Sequence, residues 1–108
     1  LVGSEMCIRD SAESIEQLLE EAGEEKETIK YFILHQANYR IIEAAAKRLK
    51  LPLERFPMNI CRYGNTSGAS VPILLDELNR EGRLKSGDKL VLSGFGAGLT
   101  WGSTLITW

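Results

Sequence analysis

Tyr31-Phe32-Ile33-Leu34-His35-Gln36-Ala37-Asn38 is the stretch on which the reading of this chain turns. An apolar, β-prone run over residues 29–34 ends abruptly in polar residues. Asn38 then caps an alanine-rich segment in which Ile41, Ile42, Ala45 and Leu49 recur at helical spacing, stopping by Leu51 ahead of Pro52. A strand feeding directly into a helix is the unit of an α/β layer. His35, the only histidine of the chain, falls at the carboxyl end of the strand, where open α/β sheets place ligands and catalytic groups.

Upstream of this unit, Ile15, Leu18, Leu19 and Ala22 predict an amphipathic helix over residues 11–22, with Asp10 or Ser11 as its cap, Glu13 placed for a reciprocal contact and Gly23 as its stop. The opening Leu-Val-Gly-Ser-Glu-Met-Cys-Ile-Arg-Asp has neither the cationic start nor the apolar length of a signal peptide. Its pattern does not connect with the helical stripe after it, so residues 1–10 are expected to form a leader, non-native or unstructured, ahead of a domain over 11–108. Glu24, Glu25, Lys26 and Glu27 read as a solvated connection.

Downstream, residues 52–60 read as a loop with one helical turn or a brief extended piece. Gly64-Asn65-Thr66-Ser67-Gly68-Ala69-Ser70 permits sharp turns and close backbone approach before a helix that carries Pro72 in its first turn, then Ile73, Leu74 and Leu78, and stops at Gly82. Ser86-Gly87-Asp88 marks a turn, Lys89–Ser93 a strand that enters Gly94-Phe95-Gly96-Ala97-Gly98, and Leu99–Trp108 a strand antiparallel to it. With so few strands for its helices, the chain reads as an α/β layer lacking part of its sheet, to be completed by a partner or a missing segment.

Composition bounds the function. An apolar share of 44% and a charged share of 26% over 108 residues fit one small globular core. A net charge of −2 gives no basic field for nucleic acid or an anionic membrane, and no apolar run is long enough to span a bilayer. Cys7 and Cys61 set no disulfide framework, which makes a reducing cytoplasm the expected compartment. No metal-ligand spacing stands out, so no metal is expected.

His35 and Asn65 each stand ahead of a helix and can present N–H donors to one carbonyl oxygen, the arrangement that stabilises an oxyanion or enolate. Taken alone, His35 reads rather as a hydrogen-bonded interior or surface residue, and Asn65 as a turn or helix cap. Gly94–Gly98 offers backbone N–H groups but also reads as a plain hairpin turn. Cys61 has nothing beside it in sequence to lower its pKa and reads as an inert thiol. Arg40, Lys47, Arg48 and Lys50 give the helix after His35 a basic edge, either a solvated face or a dock for an acidic partner.

Together, His35-Gln36-Ala37-Asn38, Gly64-Asn65-Thr66-Ser67 with Ala69-Ser70, and Gly94-Phe95-Gly96-Ala97-Gly98-Leu99-Thr100-Trp101-Gly102 closely resemble, in this order and spacing, the C-terminal part of 3-oxoacyl-[acyl-carrier-protein] synthase III. This is the initiating condensing enzyme of type II fatty acid synthesis, and the likeness covers residues 12–108. A His with an Asn, where elongating relatives carry two His, points to the initiating class.

The resemblance implies an α/β, thiolase-like fold, an incomplete C-terminal half with a mixed sheet and helices on its faces. It implies that His35 and Asn65 are two members of a Cys-His-Asn triad whose cysteine lies in an absent N-terminal half, so that this piece alone is inactive. The enzyme condenses an acyl-CoA with malonyl carried on acyl carrier protein and needs no cofactor. By the same resemblance Ala37, Asn38 and Phe95 lie against the coenzyme A arm or the acyl group, and Arg40 touches the carrier protein. Ala97, where many relatives have glycine, supplies a backbone oxyanion donor. A cytoplasmic homodimer is the implied full-length state. The alternatives are a related polyketide or quinolone-type condensing enzyme and a non-catalytic interaction domain of the same fold.

Overall fold

The computed structural model describes residues 2–35, 39–58, 70–95 and 101–108. Helix α1 (Val2–Ala22) is followed by a 3-10 turn at Lys26–Thr28, strand β1 (Tyr31–Leu34), helix α2 (Tyr39–Arg48), a second 3-10 turn at Leu53–Arg55, helix α3 (Ser70–Arg80), and strands β2 (Lys89–Phe95) and β3 (Trp101–Thr107). This is the order read from the sequence.

The start of α1 differs from expectation. The helix begins at Val2, and residues 2–10, expected as a leader outside the fold, continue its backbone. Ser11 does not cap it. It is fully buried, and its hydroxyl donates to the Ile8 carbonyl at 3.1 Å, the back-bond to the preceding turn that competes with capping for the same side chain.

The three helices among the described residues end alike. The Gly23 and Glu24 amides bond to Glu20 O and Leu19 O, and those of Gly82 and Arg83 to Asn79 O and Leu78 O, with Gly23 and Gly82 in the left-handed region. At the end of α2 the same pair of bonds runs from Lys50 to Lys47 O and from Leu51 to Ala46 O, but the left-handed residue is Lys50, with φ 59°. The Lys26 ammonium donates to the neighbouring Leu49 carbonyl at 2.8 Å, covering one of the acceptors the helix leaves open.

Among the described residues the strands form one sheet in the order β1-β2-β3, with β1 parallel to β2 and β2 antiparallel to β3. Alternation along the strands sends side chains to two faces. Phe32, Leu34 and Val91 pack beneath α1 and α2, against Ile15, Leu19, Ile42 and Leu49. Ile33 and Leu90 face the other way, against Leu74 and Leu78 of α3 and against Leu84. The sheet is thus covered on both sides, which is why β1 and the start of β2 are apolar runs rather than polar-apolar alternations.

Just after α2 the chain is pinned to the first face at residues 55 and 56. Phe56 is buried with its ring stacked on Phe32, centroids 5.1 Å apart and planes at 16°. The adjacent Arg55 guanidinium donates to the carbonyls of Lys26, Glu27 and Ile29 at 3.2–3.3 Å, holding the turn that leads into β1.

Candidate active site

Parallel pairing brings the carboxyl ends of β1 and β2 to one rim of the sheet. Their register closes on the pair Leu34–Ser93, and the His35 amide adds one more bond, donating to Ser93 O at 2.9 Å. His35 is therefore the first residue off the strand and is held to its neighbour by its own backbone. Beyond Ser93, β2 continues to Phe95, paired with Trp101 on β3. Helix α2 starts at Tyr39, four residues after His35.

Helix α3 runs back along the sheet. Past its end, Arg83 meets Tyr31 at the start of β1, its Nε 3.3 Å from the phenol oxygen and its guanidinium carbon 5.2 Å from the ring centroid. The helix begins at Ser70, five residues after Asn65.

The His35 side chain is half-buried, and loss of contact with water lowers its pKa from the ordinary value, because burial disfavours the charged imidazolium. The neutral ring dominates at neutral pH. In that form the ring keeps one N–H donor, which it can offer to a developing oxyanion.

Of the other residues singled out from sequence, Arg40 is exposed in the first turn of α2, beside exposed Tyr39. Phe95 is the last residue of β2. Ala37, Asn38, Asn65 and Ala97, together with Cys61, lie outside the described residues. The described structure thus joins His35 to β2, the strand that ends at Phe95.

Behind the rim lies a feature the sequence did not signal. Ser93 is 2% exposed; its Oγ accepts from Ser103 Oγ of β3 at 3.1 Å, and Ser103 Oγ shares a 2.6 Å hydrogen bond with Ser14 Oγ of α1. Serines 89 and 10 positions apart in sequence carry no pattern that marks them as a group.

A mixed sheet layered between helices, with its one histidine where parallel strands end, defines a chain of the thiolase-like α/β class. The chain belongs to the family described as 3-Oxoacyl-[acyl-carrier-protein (ACP)] synthase III C terminal, whose model matches residues 19–108. It is 47% identical over 102 residues to beta-ketoacyl-[acyl-carrier-protein] synthase III of Clostridium acetobutylicum, a match covering 94% of this chain and 31% of the relative. The Clostridium novyi synthase III is 53% identical over 96 residues, covering 89% and 30%. The fold described above superimposes on that of the Thermus thermophilus synthase III with a TM-score of 0.92 at 46% identity, covering 97% of this chain and 33% of that one. The chain spans about a third of the length of the relatives it matches. Among the described residues, no helix is long and apolar enough to cross a membrane.

Proposed function

We infer that this chain is the C-terminal portion of an initiating condensing enzyme that joins an acyl-CoA to malonyl carried on acyl carrier protein. In this reading an upstream cysteine thiolate attacks the acyl thioester and releases coenzyme A. Malonyl carrier protein then loses carbon dioxide, and the resulting carbanion attacks the acyl-enzyme, forming a carbon–carbon bond and returning the thiolate. His35 and Asn65 are the two N–H donors that hold the malonyl thioester oxygen as the enolate develops, and Ala97 N–H serves the acyl-enzyme oxyanion. Such a donor is worth about 2.7–4 kcal/mol of barrier.

The observation that carries this reading is the state of His35. It is half-buried at the carboxyl rim, where burial favours the neutral ring, the form in which a histidine can act as an uncharged N–H donor to an enolate. Ala37, Asn38 and Phe95 are assigned to the coenzyme A arm and acyl group, and Arg40, exposed on α2, to the acidic carrier protein. No cofactor enters the scheme. The full-length protein is a homodimer in the cytoplasm, and the 108-residue chain alone has no nucleophile.

Intact mass spectrometry after incubation with acetyl-CoA tests it. The expected result is an acetyl adduct on a cysteine upstream of this segment in the full-length protein and no adduct on the 108-residue chain. An acetyl group on Cys61, discharged by malonyl carrier protein, would show that the short chain carries its own nucleophile and overturn the reading.

A further inference from the structure

The hydroxyls of Ser14, Ser103 and Ser93 form a continuous chain from α1 through β3 to β2. Each hydroxyl has one proton. Ser103 gives its proton to Ser93, so Ser14 is the donor in the other bond. Ser93 and Ser103 are direct partners in the β2–β3 register, so their bond fixes that register from the side chains as well as from the backbone.

Ser93 shares its face with Val91, which packs in the apolar cluster beneath α1. What a hydroxyl adds there is direction. The same residue's carbonyl accepts the His35 amide at 2.9 Å, the last bond before the chain leaves the sheet.

We propose that the Ser14–Ser103–Ser93 chain is a positioning device for His35, tying a helix and two strands together at the residue whose carbonyl holds the His35 backbone. The three serines set where the imidazole stands on the rim, and the proposal rests on the reading of His35 as an enolate donor only for its catalytic consequence.

The test uses hydrogen exchange and imidazole nitrogen spectroscopy on the full-length protein, with the His35 ring signals assigned by their loss in His35→Gln. The Lys30 amide, bonded to Lys89 O at 2.9 Å at the far end of β1, is the internal reference. In Ser103→Ala the His35 amide is expected to exchange about tenfold faster, a local loss of the kind that separates from global opening. Its imidazole titration should move up toward the ordinary value, while Lys30 is unchanged. Ser103→Thr, which keeps the hydroxyl, should restore both. Ser14→Ala removes only the outer link and should give the same pattern more weakly, which keeps the test open if Ser103→Ala does not fold. Unchanged His35 signals, or equal acceleration at Lys30 and His35, would overturn the proposal. Because no catalysis is measured, failure of the condensing-enzyme reading leaves this result standing on its own.

Discussion

Replacing Phe56 by alanine is the most informative disturbance of the core, because this ring is the contact that fastens the segment after α2 to the strand that presents His35. Phe56 is 1% exposed and Phe32 fully buried, and the two stack with centroids 5.1 Å apart. Truncating a buried phenylalanine costs about 3–5 kcal/mol through lost transfer energy and the cavity left behind. About 0.5–1.5 kcal/mol of that belongs to the aromatic pair itself. Against a total of about 5–15 kcal/mol for an ordinary domain, the variant should be close to the unfolding threshold. Denaturant titration followed by the fluorescence of Trp101 and Trp108 measures the loss. A double-mutant cycle with Phe32→Leu isolates the pair, since residues in contact fail to add. A loss within the ±0.5 kcal/mol typical of surface positions would refute the assignment of Phe56 to the core.

Lys50→Gly relieves a left-handed lysine at the end of α2; the relief of about 1–2 kcal/mol exceeds the added unfolded-state freedom of about 0.4–1 kcal/mol, so denaturant midpoints should rise. Lys26→Met removes the cation on the Leu49 carbonyl and should cost about 1 kcal/mol by the same titration. For His35 the folded pKa lies below the unfolded one, so between them the unfolded chain binds a proton the native state refuses. Stability should therefore fall as pH drops from about 6.5 through the folded value, and His35→Gln should flatten that slope in unfolding measured over the same range. The Asp88 carboxylate is held below its ordinary range by the Lys30 ammonium at 2.9 Å and by the Lys85 amide. Its contribution is present above the ordinary carboxylate value and lost as pH falls through the lowered one; acid titration of Asp88→Asn should lack that step.

The order of elements was legible because periodicity and helix stops act locally. Ile41, Ile42 and Ala45 mark one face of α2 whatever packs on it, and Gly23 and Gly82 stop helices because they alone reach the left-handed region without cost. The start of α1 was not legible, because a serine hydroxyl serves a cap or a back-bond equally well. Ser11 makes the second, buried where packing decides. The stop of α2 ahead of Pro52 was legible, but not that a lysine takes the left-handed position there, since two backbone bonds hold a residue type that sequence statistics place elsewhere. His35 was found by its position after a strand, and the structure adds its burial and its bond to Ser93. The serine chain behind it was beyond reach, since its links join α1 to the last strands across most of the chain.

A role for His35 in decarboxylation, and not in acyl transfer to the nucleophile, is tested most directly by His35→Ala in the full-length protein. Carbon dioxide release from malonyl carrier protein and acyl loading from acetyl-CoA are measured on the same preparation. Decarboxylation is expected to fall by about 10²–10³-fold while acyl loading is retained, with Asn65→Ala behaving alike. Decarboxylation at the unsubstituted rate in both variants would contradict that role.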